Sequence, residues 1–373
     1  EDSTRIANLI KDASANDQSY ILGLLNKSQA KSIIELLKTE EQEEIEELMG
    51  YPDDSAGSLM TTDVFTLFQE TSCKMALKTL QDQKDAEMVF YLYITDDENC
   101  LVGIASLRAL TTRSPNTPLK DIMVKQIHSV RPETDQEEVA QIVAQYNYLA
   151  VPVLNKENHL LGIVTVDDIV DVIREEATED FLKMAGAGKD REILLKSSWD
   201  NAKARIPWLF ASWIGGIIAA TIIGTFEIML QNIIALAAFI PVIIGMGGNI
   251  GTQSSTIIVR GMATGRIELG NEFRILMKEI KVGLILGAIY GFMLGIFTKY
   301  RFINADPYLG LVVGLSICCS MVIASAVGTF TPLILRKLDI DPAIATGPFV
   351  TTSVDILGVS LYFIIASIFL QIQ

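Results

Sequence analysis

The chain reads as an α-helical membrane protein, with five transmembrane helices per subunit behind a soluble α/β half and a partial N-terminal helical domain. Three observations predict this. Half of its 373 residues are hydrophobic and mean hydropathy is +0.35, too apolar for an ordinary soluble enzyme. Charge is uneven: Arg205 onward holds 10 Lys+Arg and 8 Asp+Glu, leaving 20 of the 30 basic and 37 of the 45 acidic residues in front. The front is therefore near −17 and the back near +2, and runs long enough to cross a bilayer lie in the back.

Residues 1–52 read as short helices with acidic surfaces, as in QAKSIIELLKTEEQEEIEELMG. Here Ile33, Ile34, Leu36, Leu37, Ile45 and Leu48 supply apolar contacts. So short a segment buries little alone, so it reads as the tail of a larger helical domain or a cap on the next domain in the chain. Two similar stretches come next, 53–118 and 119–180. The first runs TDVFTLF, a helix near Lys74–Gln83, strand FYLYIT, a DDEN turn and VGIASLRAL. The second runs QIHSVRP, helix QEEVAQIVAQY, strand YLAVPVL, turn NKEN and LGIVTVDDIV. Glu70-Thr71 recurs as Glu133-Thr134, and Gly103 as Gly162. Strands alternating with helices predict two α/β units sharing a core. Their order resembles a tandem pair of CBS domains.

Residues 181–204 form a polar, helical connector, and 205–373 hold apolar spans near 206–229, 233–259, 280–298, 308–335 and 342–371. Arg260, Arg266, Arg274, Lys278 and Lys281 precede the third span, and Arg336 and Lys337 the fifth. Basic residues favour the cytoplasmic side, which puts the soluble half inside the cell and the C-terminus outside. No secretory signal is expected ahead of the soluble half.

Two stretches carry chemistry. PVIIGMGGNIGTQ, Pro241–Gln253, places four glycines with Asn249 and Gln253 at membrane depth. That pattern predicts a helix interrupted beside a water-filled path, its carbonyls and amides offering hard oxygen ligands. Close helix packing is the rival explanation for Gly247 and Gly251, though not for Asn249. The fifth span opens DPAIATGPFVTTSVD. Asp355 is the sole acid of Pro342–Gln371, and an ionised group at that depth costs several kcal/mol unless it meets water or a cation. The bland alternative is a buried Asp bonded to neighbouring hydroxyls. Thr351, Thr352 and Asp355 fall on one side at helical spacing. Asp341 reads equally as the N-cap before Pro342 or as a cation ligand at the cytoplasmic mouth.

The soluble half adds an acidic ladder. In VDDIVDVIREEATED, Asp168, Asp171, Glu175 and Glu179 recur at helical spacing, with Glu176 and Asp180 beside them. Such a face is either simply solvated or clamped by divalent ions against another acidic surface. The acidity disfavours nucleic acid. Two histidines and four scattered cysteines exclude a histidine-rich metal site and a disulfide framework.

PVIIGMGGNIGTQ and DPAIATGPFVTTSVD, following a CBS pair with DSAGSLM (Asp54–Met60) and DDIVDVIREEATED, together resemble the MgtE type of magnesium transporter and channel. The resemblance implies a homodimer in the plasma membrane, a pore on its axis carrying hydrated Mg²⁺ down its gradient, and closure by intracellular Mg²⁺. It implies that Asp355 is the pore acid and that Gly248, Gly251 and Thr351 face the hydrated ion, with Asn249 in the same motif. Asp341 would join the pore mouth to the connecting helix. Regulatory ligands would be Asp135, Glu137, Asp168, Asp171, Glu176, Glu179 and Asp180, with Ala144 through its backbone. Asn147 departs from the pattern, standing where an acid is expected. CBS pairs often hold adenine nucleotides through Gly-x-x-Ser/Thr-x-x-Asp. Gly162, Thr165 and Asp168 fit, but Gly103 and Ser106 are followed by Ala109, which argues against ATP as a cofactor. Two other classes remain: a CBS receptor sensing ions without transport, and an intramembrane aspartyl hydrolase. The latter needs two facing carboxylates, and the spans offer one deep acid per subunit.

Overall fold

A computed structural model describes residues 2–11, 13–23, 25–37, 39–82, 91–187, 196–267 and 270–370. The ends expected at Gln83 and Phe90, and the middle of the 181–204 connector, lie outside them. The chain divides into two compact units, Glu1–Glu176 and Ala177–Gln373.

The first unit opens with helices α1 (Asp2–Ile10), α2 (Ala15–Gly23), α3 (Lys27–Ile34) and α4 (Thr39–Leu48). Asn26 caps α3 by accepting from the Gln29 amide at 2.9 Å. Ile33, Ile34 and Ile45 are buried with Leu22 and Ala7, while Leu36 is 53% exposed and adds nothing to the core. Leu48 joins the core of the second repeat, so these helices cap it.

The first repeat holds α5 (Ala56–Leu59), β1 (Thr66–Phe68), α6 (Cys73–Asp82), β2 (Tyr91–Thr95), β3 (Leu101–Ser106) and α7 (Leu107–Thr112). β1 pairs parallel to β2, and β2 antiparallel to β3. The second holds α8 (Gln136–Tyr146), β4 (Ala150–Leu154), β5 (Leu160–Thr165) and α9 (Val166–Met184), with β4 and β5 antiparallel. The strand expected in QIHSVRP shrinks to one bridge, Val130 to Val153. The duplicated glycine has a steric reason. Thr61, just before β1 of the first repeat, bridges Ile163 of the second, and Val124, before α8 of the second, bridges Ile104 of the first. A Cβ at Gly162 would stand 2.6 Å from the Thr61 carbonyl oxygen, and one at Gly103 2.4 Å from the Met123 sulfur. Each repeat's glycine thus admits the other's lead-in segment, interlocking the two.

The second unit contains α10 (Ser198–Thr225), α11 (Glu227–Asn232), α12 (Ile240–Ala263), α13 (Glu272–Arg301), α14 (Leu309–Lys337) and α15 (Pro348–Leu370). All but α11 are long and apolar enough to cross a membrane, α12 together with the 3-10 turn that precedes it, and at ~1.5 Å per residue each exceeds a ~30 Å hydrocarbon layer. Two expectations are corrected. The glycine-rich second span is one continuous helix, since its glycines serve packing without unwinding it. The fifth span, by contrast, is broken: a 3-10 turn covers Pro342–Ala345, and α15 starts only at Pro348. Proline disfavours helix at the residue before it, so Gly347-Pro348 marks the break. The core buries Phe239, Ile243, Ile317, Met321, Tyr362 and Phe363 among others. Tyr362 donates its hydroxyl to the Leu236 carbonyl at 2.9 Å, settling a polar tip within it.

Candidate functional site

Helix α12 has two faces. One carries Ile243, Gly247, Ile250, Gly251, Ser254 and Ile258, all buried. A Cβ at Gly247 would touch Ser320 Oγ and Val354 at 3.0 Å, and one at Gly251 would touch Val350 at 3.1 Å. A Cβ at Gly328 would lie 2.3 Å from the Gly251 carbonyl oxygen, so α12 and α14 approach backbone to backbone. The other face carries Gly245, Asn249, Gln253 and Thr256, all exposed, flanked by half-buried Gly248 and Thr252. Spaced three and four apart, these form one stripe along the helix. An amide-bearing stripe is poorly matched to lipid.

Asp355 stands at the edge of this stripe. A Cβ at Gly248 would be 3.8 Å from its Oδ1, and the residue is only half-buried. Among the described residues no hydrogen bond or ion pair satisfies its carboxylate, so the bland reading of an acid tied to neighbouring hydroxyls does not hold. Thr351 is half-buried and turns its hydroxyl back to the Gly347 and Pro348 carbonyls. Thr352 departs from the expected stripe. Its methyl packs against α10, where a Cβ at Gly215 would meet it at 1.7 Å.

Asp341 takes the capping role its sequence suggested, and its second oxygen meets a lysine. Its Oδ1 caps the 3-10 turn by accepting from the Ala343 amide at 2.8 Å. Its Oδ2 accepts from Lys183 Nζ at 2.5 Å, while that ammonium lies 2.7 Å from Glu179 Oε1. Burial alone would lower the Lys183 pKa, but its hydrogen bonds to Asp341 and Glu179 outweigh that and hold it above the usual lysine value. Burial raises the Asp180 carboxyl, and the Asp341 charge adds to the effect. The end of α9 is seated here, with the Met184 carbonyl 3.1 Å from where a Cβ at Gly347 would stand.

The other positions that the resemblance assigns to regulation lie in the first unit. Asp135 caps α8 by accepting from the Glu137 amide, and Gln141 donates to Glu137. Ala144 is nine residues on from Asp135, ~13 Å along the helix. Asp171 pairs with Arg174, and Gln136 donates to Glu176. Asp168 accepts from Thr165 at 2.5 Å, and burial raises its carboxyl against that hydrogen bond. Among the described residues no three acidic, histidine or cysteine side chains converge to hold a metal. Asn147 has a conformational reason: it ends α8 at φ 54°, ψ 45°, a left-handed setting that asparagine tolerates.

Sequence reasoning missed three features. Thr252 and Thr256 extend the polar stripe, visible in the three-and-four spacing once Asn249 is fixed. Lys183 showed no signal before its partners were placed. Glu279 is a second acid, buried near the charged start of α13. Flanked by Lys278 and Lys281, it reads as loop in the sequence, yet it lies in α13, 8% exposed, accepting from Ser254 Oγ at 3.0 Å.

The MgtE family profile, a divalent cation transporter, matches residues 240–365, and CBS domains match 56–115 and 119–175. The chain is 39% identical over 334 residues to the magnesium transporter MgtE of Enterococcus faecalis, covering 89% of this chain and 73% of that one. This chain belongs to the MgtE family. Its likeness to MgtE of Bacillus subtilis is 37% over 336 residues, covering 90% and 74% of the two chains. To MgtE of Thermus thermophilus it is 36% over 340, covering 90% and 75%. Like other family members it is a multi-pass membrane protein with CBS domains.

Proposed function

We propose that the protein is a Mg²⁺ channel or transporter. It passes hydrated Mg²⁺ into the cytoplasm down its electrochemical gradient, as a homodimer with Asp355 of each subunit on a shared pore. One observation carries this: a half-open, unpaired carboxylate borders a stripe of glycine, amide and hydroxyl groups along a membrane helix. Hard oxygen donors around a wide path suit an ion that keeps its waters. A polar stripe left open by one subunit also calls for a second one to enclose it. The relatives named as magnesium transporters support the choice of ion.

In this reading Gly248, Asn249, Gly251 and Thr351 contribute to the path, Gly251 from within the packed face. Intracellular Mg²⁺ closes the gate through Asp135, Glu137, Ala144, Asp168, Asp171, Glu176, Glu179, Asp180 and Asp341. The domains are 1–52, 53–118, 119–180, 181–204 and 205–373, with α9 running through the third boundary. The soluble part lies in the cytoplasm and the C-terminus outside. No catalysis is assigned. Asp355 beside Gly248 and Glu279 under Ser254 attach to α12 six residues apart, a separation of ~9 Å along the axis and roughly 120° around it. ATP has no assigned role, since Ala109 breaks the nucleotide pattern in the first repeat.

The test is Mg²⁺ flux into proteoliposomes. The wild-type chain conducts and Asp355→Ala does not. Undiminished flux through Asp355→Ala overturns the assignment.

A further inference from the structure

The cytoplasmic mouth holds three carboxylates, Glu179, Asp180 and Asp341, against the Lys183 ammonium and the Arg260 guanidinium that acts on Asp180, for a net charge of about −1 when all are ionised. Lys183 is not a loose surface partner. Its side chain is 18% exposed, that of Glu179 15%, and its Nζ lies within 2.7 Å of oxygens from two separate segments. Those segments are the last turns of α9 and the capped turn before α15. The ammonium therefore makes the bridge a dication would make between the same oxygens, and it does so from a covalent tether. Gly186 reinforces the placement: at φ +67° it lets the chain turn directly beneath α15, within about 3.2 Å of the Pro348 ring counted from its would-be Cβ.

We propose that Lys183 is a tethered competitor for the regulatory divalent ion. Its ammonium fills the Glu179–Asp341 bridge when cytoplasmic Mg²⁺ is scarce, and Mg²⁺ must displace it to bind. Lys183 thereby sets the concentration at which the mouth responds. Two positive groups cannot share oxygens within ~3 Å without strong repulsion, so binding and displacement are one event. The residual negative charge draws a dication toward the site, while the ammonium raises the threshold for occupancy. This rests on the proposal that Glu179, Asp180 and Asp341 take regulatory Mg²⁺, and adds to it the residue that tunes them.

The experiment is lysine footprinting of the full chain in detergent. An amine-acetylating ester labels it across an MgCl₂ titration, NaCl holds ionic strength constant, and labelling is read by mass spectrometry. Exposed Lys278 is the reference. Lys183 is expected to be protected without Mg²⁺ and to gain labelling several-fold as protease protection of the soluble half develops. Lys183→Met should shift half-maximal protease protection about tenfold lower in Mg²⁺, since a like charge at contact distance is removed. Lys183→Arg, with charge retained, should stay near wild type. If Mg²⁺ protects the chain while Lys183 labelling stays flat, the competitor role is wrong and the regulatory reading survives. Absence of any Mg²⁺ protection overturns both.

Discussion

Asp355 on α15 and Glu279 on α13 are both carboxylates of the membrane helices, and their surroundings are opposite. Asp355 is half-open beside Gly248 with no bonded partner among the described residues, whereas Glu279 is buried and accepts from Ser254. An ionised carboxylate removed from bulk water costs free energy unless it finds a partner. The one with a partner is satisfied by the protein and holds helices in register; the one without is left for an ion. A carboxylate on a membrane helix therefore does not by itself mark a transport residue.

The largest effect should separate the two acids directly. Asp355→Asn is expected to cut Mg²⁺ flux at least ~100-fold, the equivalent of ~3 kcal/mol in ion stabilisation, while thermal unfolding of the purified chain barely moves. Glu279→Gln should keep flux within ~3-fold, because an amide oxygen still accepts from Ser254. Proteoliposome uptake read for both variants breaks the comparison if their order is reversed.

Glycines sharpen it next. Gly328→Ala pushes a methyl to 2.3 Å from a backbone oxygen and should cost ~1–3 kcal/mol, seen as a lowered melting temperature in detergent. Gly248→Ala meets Asp355 at an ordinary 3.8 Å. It should fold normally while altering flux, and a destabilised Gly248→Ala would place that face in a packed seam.

A double-mutant cycle of Ser254→Ala with Glu279→Ala should then return a coupling of ~1.5–3 kcal/mol for a buried bond to a charged acceptor. Additive losses would show that Glu279 is held by something else.

The smallest effect concerns Asp168. Burial raises its carboxyl, so the folded chain is penalised for ionising it. That penalty is present above its raised titration range and absent once folded and unfolded chains are both protonated. Asp168→Asn should therefore stabilise the Mg²⁺-free chain at neutral pH by less than ~1 kcal/mol, the gain vanishing below about pH 4. Melting curves at the two pH values decide it.

Long-period signals were legible in the sequence, and three-dimensional coincidences were not. Five apolar runs, the duplicated α/β units and Asp355 within Pro342–Gln371 each follow from spacing or composition along one segment. The broken start of α15 was half visible in Gly347-Pro348, but the apolar run continues across it, and hydropathy alone gives one span. Gly251 and Gly328 touch across helices though far apart in the chain, so the α12–α14 seam was readable only as generic small-residue packing. Thr352 falls on the path side by spacing alone, because helical spacing gives a side of a helix without saying which neighbour fills it. Lys183 lay in a polar connector where nothing set it apart from other surface lysines.

The seam between α13 and α14 carries one last consequence. Cβ atoms at Gly287, Gly291, Gly295, Gly310 and Gly314 would each fall within 2.8 Å of a backbone atom on the opposing helix. At such separations neither helix can slide or roll without main chain striking main chain, so the pair behaves mechanically as a single strut. Any relative movement among the spanning helices must then be absorbed elsewhere, with the kink ahead of Pro348 one place where the backbone is already interrupted.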